Sequence, residues 1–463
     1  MFGKLKDNKD VIYRKTNANC SICYQEHLCN VLEFMKDFYP CIVADEKIRL
    51  DELFPGICKE IKGDEDVILQ LVFSGLMVME RNGVYYVFDL SKAPSRPTSD
   101  SISDPEDIFG SRDGFVENFK ENIALIRTRI KDDKLKIDQV NIGRRSKTIV
   151  SLLSIEDIHN QNIKEEIIKT LQEIDIDAVI SIPDVMAYFQ KDNLFPSYQY
   201  IGNPTTTCER LYNGEFVIII DRVCCAISLP TTLAYSSRMR IDNINIMSFS
   251  FIERFFVLIS LVLSVLFCGV VCSFVTFQRD SLALNVLSTI KVSQAGIILP
   301  IYLEIFLVLG LFELYYLIGF KQSKITVSST IVLIGGLIIG ENLVTSGLVG
   351  VFLIVSTAVC FLLTFVVSSN VTNILAISIV RVIILTSSLF YGLIGVCLVS
   401  ILIAYKMYNQ RVLGVYYFYP FMPFDIKGIK RFFLANSNLK VNNRDYALEV
   451  KNKHRRKINE KNS

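Results

Sequence analysis

The ionisable residues that fall inside apolar stretches are where this sequence can do chemistry. Glu304 and Glu313 interrupt the apolar run 297–320. At 100° per helical residue, their nine-residue separation puts them on roughly opposite faces, so they are not a dyad on one helix. Burying a carboxylate in hydrocarbon is costly, so each must face a partner helix, a cavity or water. One reading is an ion path or a gating contact; the other is interhelical hydrogen bonding that only orients a bundle. Arg381 lies in the last apolar stretch, 374–405. It either pairs with one of the glutamates or snorkels to an interface marked by Asn370 and Asn373. The segment GGLIIGENLVTSGLVG carries Gly336 and Gly340 as a GxxxG face for close helix packing. Glu341 and Thr345 add a polar stripe at i, i+4. A close-packing helix with one polar side suits an oligomer interface or a pore lining, or a tightly packed helix with one satisfied carboxylate.

Other constellations are weaker. Cys20, Cys23, His27 and Cys29 include a CxxC half-site for zinc, but His27 and Cys29 are poorly spaced as the second half. No metal or cofactor is expected. IGRRSKT at 142–148 shares only its ending with a phosphate loop; the first glycine and the Gly-Lys pair are missing, so it reads as a basic turn before a strand. With three histidines and no Ser-His-Asp or Cys-His arrangement, an enzyme is not expected. The net charge of +2 and the lack of a basic stripe with interleaved aromatics argue against nucleic acid.

The elements that must position these groups follow from how charge is distributed. The chain is 51% hydrophobic with a mean hydropathy of +0.37, yet 21% of its 463 residues are charged. The charges are segregated: they fill the chain up to Arg254, thin out over 255–405 and return from Lys406. The expected fold is therefore an α/β cytoplasmic domain followed by an α-helical polytopic membrane domain. Its parts are a disordered basic tail (1–19), a truncated N-terminal α/β subdomain (20–98), a second α/β subdomain (99–240), a transmembrane domain of four to six helices (241–408) and a basic cytoplasmic tail (409–463). The two subdomains are related, because LVFSGLMVMERNGVYYVFDL from Leu71 and LYNGEFVIIIDRVCCAISLP from Leu211 share a plan of helix end, glycine turn, strand, polar turn and strand. Convergent hairpins are the alternative explanation.

Within these bounds, 21–53 reads as one or two helices, 92–107 as a linker, 149–155 as a buried strand, 163–174 as an amphipathic helix and 178–181 as a short strand. Spans are expected at 255–277, 297–320, 330–348 and 349–367, and 374–405 supplies one span plus a half-helix or two tight spans. Basic residues at Arg238, Arg240 and Arg254 and again at Lys406, Arg411, Lys427, Lys430 and Arg431 place both ends in the cytoplasm, which favours an even count. The N-terminus MFGKLKDNKD has no apolar core of a cleavable leader. The 12 cysteines show no disulfide framework, which fits a reducing compartment.

The stretch 110–158 resembles the A subunit of bacterial spore germinant receptors, the GerA family. The family's turn is matched by Gly110, Arg112, Asp113, Gly114 and Phe115, its helix by NIALIR ending at Arg127 with Arg129 and Ile130, and its strand opening by 143–148 with Arg145, Ser146 and Lys147. The likeness continues through DIDAVI, NLFPSYQ, NGEFVIIIDR, Pro300 with Glu304, Phe312-Glu313, GGLIIG and LGVYYFYPFMP. It covers about 71–425. The chain departs from the family in its shortened first subdomain and in apolar Leu309, Tyr316 and Leu317, where further charges are usual. The resemblance implies a receptor subunit in the spore inner membrane, acting with a transporter-like B subunit that binds the nutrient and a lipoprotein C subunit. It also implies ion release on nutrient binding and homo-oligomerisation of A subunits into the conducting part. A secondary transporter, or a non-conducting membrane scaffold that docks receptor partners, is the alternative.

Overall fold

A computed structural model describes residues 11–15, 20–25, 28–44, 50, 54, 57–61, 65–81, 83–90, 113–190, 193, 195–233, 247–321, 341, 343–368, 371–421, 423–434, 444, 448, 450–452 and 454. The expected linker, Gly110, Arg112, His27, Gly336 and Gly340 lie outside these.

The first lobe contains β1 (Val11–Lys15), β2 (Cys20–Gln25), a helical stretch α1 over 31–44, β3 (Cys58–Ile61), α2 (Glu65–Phe73), β4 (Met77–Arg81) and β5 (Val84–Phe88). Period-two alternation sorts its side chains into two cores. Cys20, Ile22, Tyr24, Met77, Met79 and Phe88 pack with Phe34 and Phe38 of α1. Cys23, Val78 and Val87 pack with Ile68, Val72 and Phe73 of α2. Two expectations are corrected here. Val11–Lys15 is an edge strand rather than part of a disordered tail, because Val11 and Ile12 reach opposite cores. CSICYQ is a strand rather than a helix, with its buried cysteines acting as small hydrophobes.

The second lobe contains α3 (Phe119–Arg127), β6 (Leu135–Ile142), β7 (Thr148–Ile155), α4 (Gln161–Gln172), α5 (Ile182–Gln190), β8 (Gln199–Ile201), α6 (Pro204–Asn213), β9 (Phe216–Ile220) and β10 (Ala226–Leu229). Asn118, Asn160 and Asn203 cap α3, α4 and α6, each accepting a backbone N–H of the first turn at 3.1, 3.0 and 2.7 Å. Each such cap contributes about 1 kcal/mol. The expected strand at 178–181 is a loop, because its backbone pairs with the 143–146 turn: Arg145 N donates to Asp177 O at 2.9 Å and Val179 N to Ser146 Oγ at 3.3 Å.

The two sheets share one topology. The first runs β1-β2-β4-β5-β3 and the second β6-β7-β9-β10-β8, antiparallel throughout. The hairpins that echo each other in sequence, β4–β5 and β9–β10, hold equivalent places. The first copy is shortened rather than missing a strand: its opening hairpin pairs strands of 5 and 6 residues, against 8 and 8 in the second.

The helical part begins with α7 (Met247–Thr276) and continues through α8 (Leu284–Gln294), α9 (Ile301–Lys321), α10 (Val351–Val367) and α11 (Val371–Asn409). Among the described residues three helices are long and apolar enough to cross a membrane, over 251–276, 301–318 and 372–409, and Val351–Val367 is a shorter apolar helix. The last of the three is a hairpin. Gly392 leaves the helix at φ 57°, ψ −141°, and a Cβ at Gly395 would stand 2.5 Å from Ser387 O. In a continuous helix, residues eight apart lie about 12 Å apart along the axis. Side chains of both arms, Val380 and Ile384 with Val396, enter one core with Phe195, Leu233 and Tyr417. The structure thus takes the two-arm alternative expected for 374–405.

After α11 the chain forms a small hairpin, β11 (Arg411–Val412) with β12 (Val415–Tyr416), and then α12 (Ile426–Leu434). This stretch is not a free tail. Val412, Leu413, Val415, Leu448 and Val450 complete the core of the second lobe, and Lys451 N donates to Ile158 O at 3.0 Å. The C-terminal stretch therefore lies on the same side of the helices as the soluble lobes.

Candidate functional site: a buried charge cluster and the joint beneath it

Arg381, on the first arm of α11, is fully buried. Its guanidinium meets every helix around it. Nη1 lies 3.5 Å from Glu313 Oε1 on α9, Nε donates to Ser264 O of α7 at 2.9 Å, and Nη2 donates to Thr364 Oγ1 of α10. A rigid fork of five donors suits a site where four helices converge. Of the two placements expected for Arg381, pairing with a glutamate is the one observed.

Glu304 is also buried, one end of α9 away. Its Oε2 accepts the Gly350 N–H at 3.0 Å, and Gly350 is the N-cap of α10. A carboxylate there answers the positive end of the helix dipole and one otherwise orphaned donor. The two glutamates therefore serve separate contacts on separate faces. They also set the register of α9 and α10. Glu304 meets Gly350, Phe312 stacks on Phe361 at 5.3 Å and Tyr316 lies 5.7 Å from Phe365, so the helices run parallel. Glu341 and Thr345 are exposed and share a helical turn, with Thr345 Oγ1 donating to Glu341 O at 3.0 Å.

The bundle is fastened to the second lobe by a joint that residue reading alone did not single out. Gln410, buried just past α11, donates through Nε2 to Phe195 O at 2.5 Å and to Ser197 Oγ at 3.2 Å, while Phe195 N donates to its Oε1. Leu233 N donates to Tyr417 O at 2.9 Å, and the Phe195 and Tyr417 rings stack at 5.6 Å. Two of the segments carrying the family resemblance, NLFPSYQ and LGVYYFYPFMP, meet here. Arg254 at the base of α7 is likewise buried against α12, donating to Phe432 O and facing its ring.

The soluble family motif is structural and ties the lobes together. Asn122 clamps the turn through Val116, accepting its N–H at 2.8 Å and donating to its carbonyl at 2.7 Å. Phe115 is buried in the lobe core, and Asp113 pairs with Arg129 at 2.9 Å. Buried Arg127 donates to the carbonyls of Asp132 and Leu135 and faces the Phe73 ring of the first lobe at 5.2 Å. Arg145, Ser146 and Lys147 form an exposed hairpin tip, not a helix N-terminus. Beside them Arg144 pairs with Asp175, whose carboxyl is held below its usual range by that hydrogen bond.

Cys20 and Cys29 share the α1-side core, whereas Cys23 faces the other. Burial pushes the Cys23 thiol up to about 12 and that of Cys29 up to about 11. Both therefore stay protonated, and a metal takes the thiolate. Among the described residues no three His, Cys, Asp or Glu converge as metal ligands.

Two further buried groups lie in the second lobe. Glu215 accepts from Arg210 Nη1 at 3.1 Å and from Ser228 Oγ, and Arg210 Nη2 donates to Gln199 Oε1 at 2.5 Å. Burial raises the Glu215 carboxyl, against the pull of Arg210. Burial lowers His159 below its ordinary 6.5. The unfolded chain then binds a proton that the folded lobe resists, so stability falls as pH drops below about 6.5. Thermal unfolding of the detergent-solubilised chain should show Tm declining over that range, and His159→Gln should flatten the decline. An equally steep decline in that variant would assign it to other groups.

These observations define a class: a membrane protein whose duplicated antiparallel lobe is bolted to a helix bundle with buried charges at its centre. Residues 2–447 match the family described as Bacillus/Clostridium GerA spore germination protein, and the chain belongs to that family. It is 30% identical to spore germination protein XA of Bacillus anthracis over 79% of this chain and 74% of that one. It is 24% identical to spore germination protein A1 of Bacillus subtilis (strain 168), over 95% and 94%. Among solved structures, the N-terminal domain of the A subunit of the Bacillus megaterium spore germinant receptor GerK3 matches 50% of this chain and 91% of that one, at 23% identity and a TM-score of 0.36.

Proposed function

We propose that this chain is the A subunit of a nutrient germinant receptor in the spore inner membrane. It converts nutrient sensing by a transporter-like B subunit, in a complex with a lipoprotein C subunit, into ion release. Several copies assemble the conducting part. The observation that carries this reading is the Arg381–Glu313 pair. A fully buried cation with a carboxylate 3.5 Å away, fastened to four helices, is expensive to keep in an apolar bundle. It gives the bundle an element whose rearrangement would open a polar path. The joint at Gln410 supplies the link through which a moving lobe would reach it. Germination of spores carrying Glu313→Asp, which keeps the charge opposite Arg381 but shortens its reach, tests this: nutrient-triggered ion release should change while the protein accumulates normally. An unchanged response at normal levels would favour the scaffold reading.

The same reading fixes a topology. The lobes and the C-terminal stretch face the cytoplasm together, so the crossings are even in number. Because α9 and α10 run parallel, Lys321 and Thr345 stand at opposite ends of the bundle. After native thiols are blocked, a membrane-impermeant thiol reagent should reach Thr345→Cys from outside and Lys321→Cys only after permeabilisation. Labelling of both from one side would refute the arrangement.

A further inference from the structure

A cavity of about 190 Å³ lies where the bundle meets the second lobe. Its roof is Phe195 and Tyr417; its walls are α7 around Val262 and both arms of α11 from Ile377 to Ala404. An apolar cavity of about 150 Å³ holds a benzene ring, so this one holds a short hydrocarbon segment. The walls are apolar except for Asn373 and Ser368 at the lobe end and Ser400 part-way along the second arm of α11. Asn373 is buried and spends its Nδ2 on Ser368 Oγ at 3.2 Å, leaving Oδ1 with no hydrogen-bond partner among the described residues. A buried acceptor left without a donor is destabilising. It becomes favourable once a ligand brings a donor.

The cavity's orientation matches one kind of molecule. Its polar end sits level with the joint, and Ile384 lies eleven residues, or about 16 Å, deeper along the helix. Its walls open sideways at Val262, 54% exposed, and at Ala404, surfaces that face hydrocarbon in a bilayer. Among the described residues none of those lining the walls is charged, so the cavity offers a zwitterionic nutrient no ion pair.

We propose that this cavity binds one acyl chain of a phospholipid from the lobe-side leaflet, with a hydroxyl or N–H of its headgroup donating to Asn373. The site wedges a lipid between the two arms of α11 directly beneath the Gln410 joint. It makes the seating of the bundle on the lobe depend on the surrounding lipid. This inference does not rest on the germination role, and its test reads binding.

The full chain would be reconstituted in vesicles of phosphatidylglycerol and phosphatidylethanolamine with a trace of phosphatidylglycerol carrying an acyl-chain diazirine. Photolysis and peptide mapping should concentrate label on 261–266 and 377–384, above the bilayer-facing Leu314 and Leu317. The filling variants Ser400→Leu and Ala404→Phe should each reduce that label about tenfold, the equivalent of losing burial of roughly two methylene groups. Using both guards against one of them misfolding. Asn373→Leu should reduce labelling by the phosphatidylglycerol probe but not by a phosphatidylcholine probe, whose headgroup has no donor. Even labelling over the bundle, or labelling indifferent to both filling variants, would overturn the proposal. Displacement of the label by a free long-chain alcohol at low occupancy would also overturn it, by identifying a soluble amphiphile as the preferred occupant.

Discussion

Arg381→Met should destabilise the helix bundle by about 3–5 kcal/mol, the usual cost of removing one partner from a buried ion pair. The variant leaves Glu313 without its cation, and it removes the donors that Arg381 gives to Ser264 O and Thr364 Oγ1. It should accumulate poorly and extract from membranes as aggregate. The double variant Arg381→Met/Glu313→Leu separates stability from function. With both charges gone, apolar side chains of similar volume fill the site, and accumulation should return close to normal. Nutrient-triggered ion release should not return, because the element that would rearrange is absent. Normal accumulation with normal ion release in the double variant would reduce the pair to a fastening.

The second large effect belongs to the soluble lobe. Arg210→Met should cost about 3–5 kcal/mol on the same physical ground, because it strands the buried Glu215 carboxylate beside Ser228. Raised by burial, that carboxyl takes up a proton more readily than an exposed one. The loss in Arg210→Met should therefore shrink at low pH, where Glu215 becomes neutral, and grow as pH rises. Thermal unfolding of the variant at several pH values, compared with Arg210→Met/Glu215→Leu, reads this directly. A pH-independent loss would show that the charge of Glu215 is not what Arg210 compensates.

Much of this architecture was legible in the sequence because the signals are local. The boundary between lobe and bundle follows from where charges stop, and the hairpin β4–β5 from Arg81 and Gly83 between two apolar runs. The opposed faces of Glu304 and Glu313 follow from helical periodicity alone. What was illegible depends on distant partners. Gln410 looks like one polar residue in a basic stretch until the fold brings it to Phe195, 215 residues away. Nothing local in the sequence marks Arg210 and Glu215 as buried; β8 and β10 bring Gln199 and Ser228 to them. Cys20 and Cys23 suggested ligand spacing, yet a strand's period of two sends them to opposite cores. The reading of 21–53 as helical failed at CSICYQ for a related reason: cysteine and serine weigh little in a helical pattern, and the strand is stabilised by pairing with β1 and β4. The shared strand order of the two lobes was foreshadowed only by one hairpin, because the opening strands of the two copies differ in length.

In the proposed function a signal must pass between the lobe and the bundle, and Gln410 is where the two are hydrogen-bonded together. Gln410→Leu leaves both cores intact but strands the Phe195 carbonyl and amide, which loosens the joint by about 1–3 kcal/mol. Ion release from spores carrying this variant, timed after nutrient addition at matched protein levels, is the most direct measurement. The account predicts release slowed about tenfold or more, the kinetic equivalent of roughly 1.4 kcal/mol of lost coupling. Release at the parental rate would contradict it.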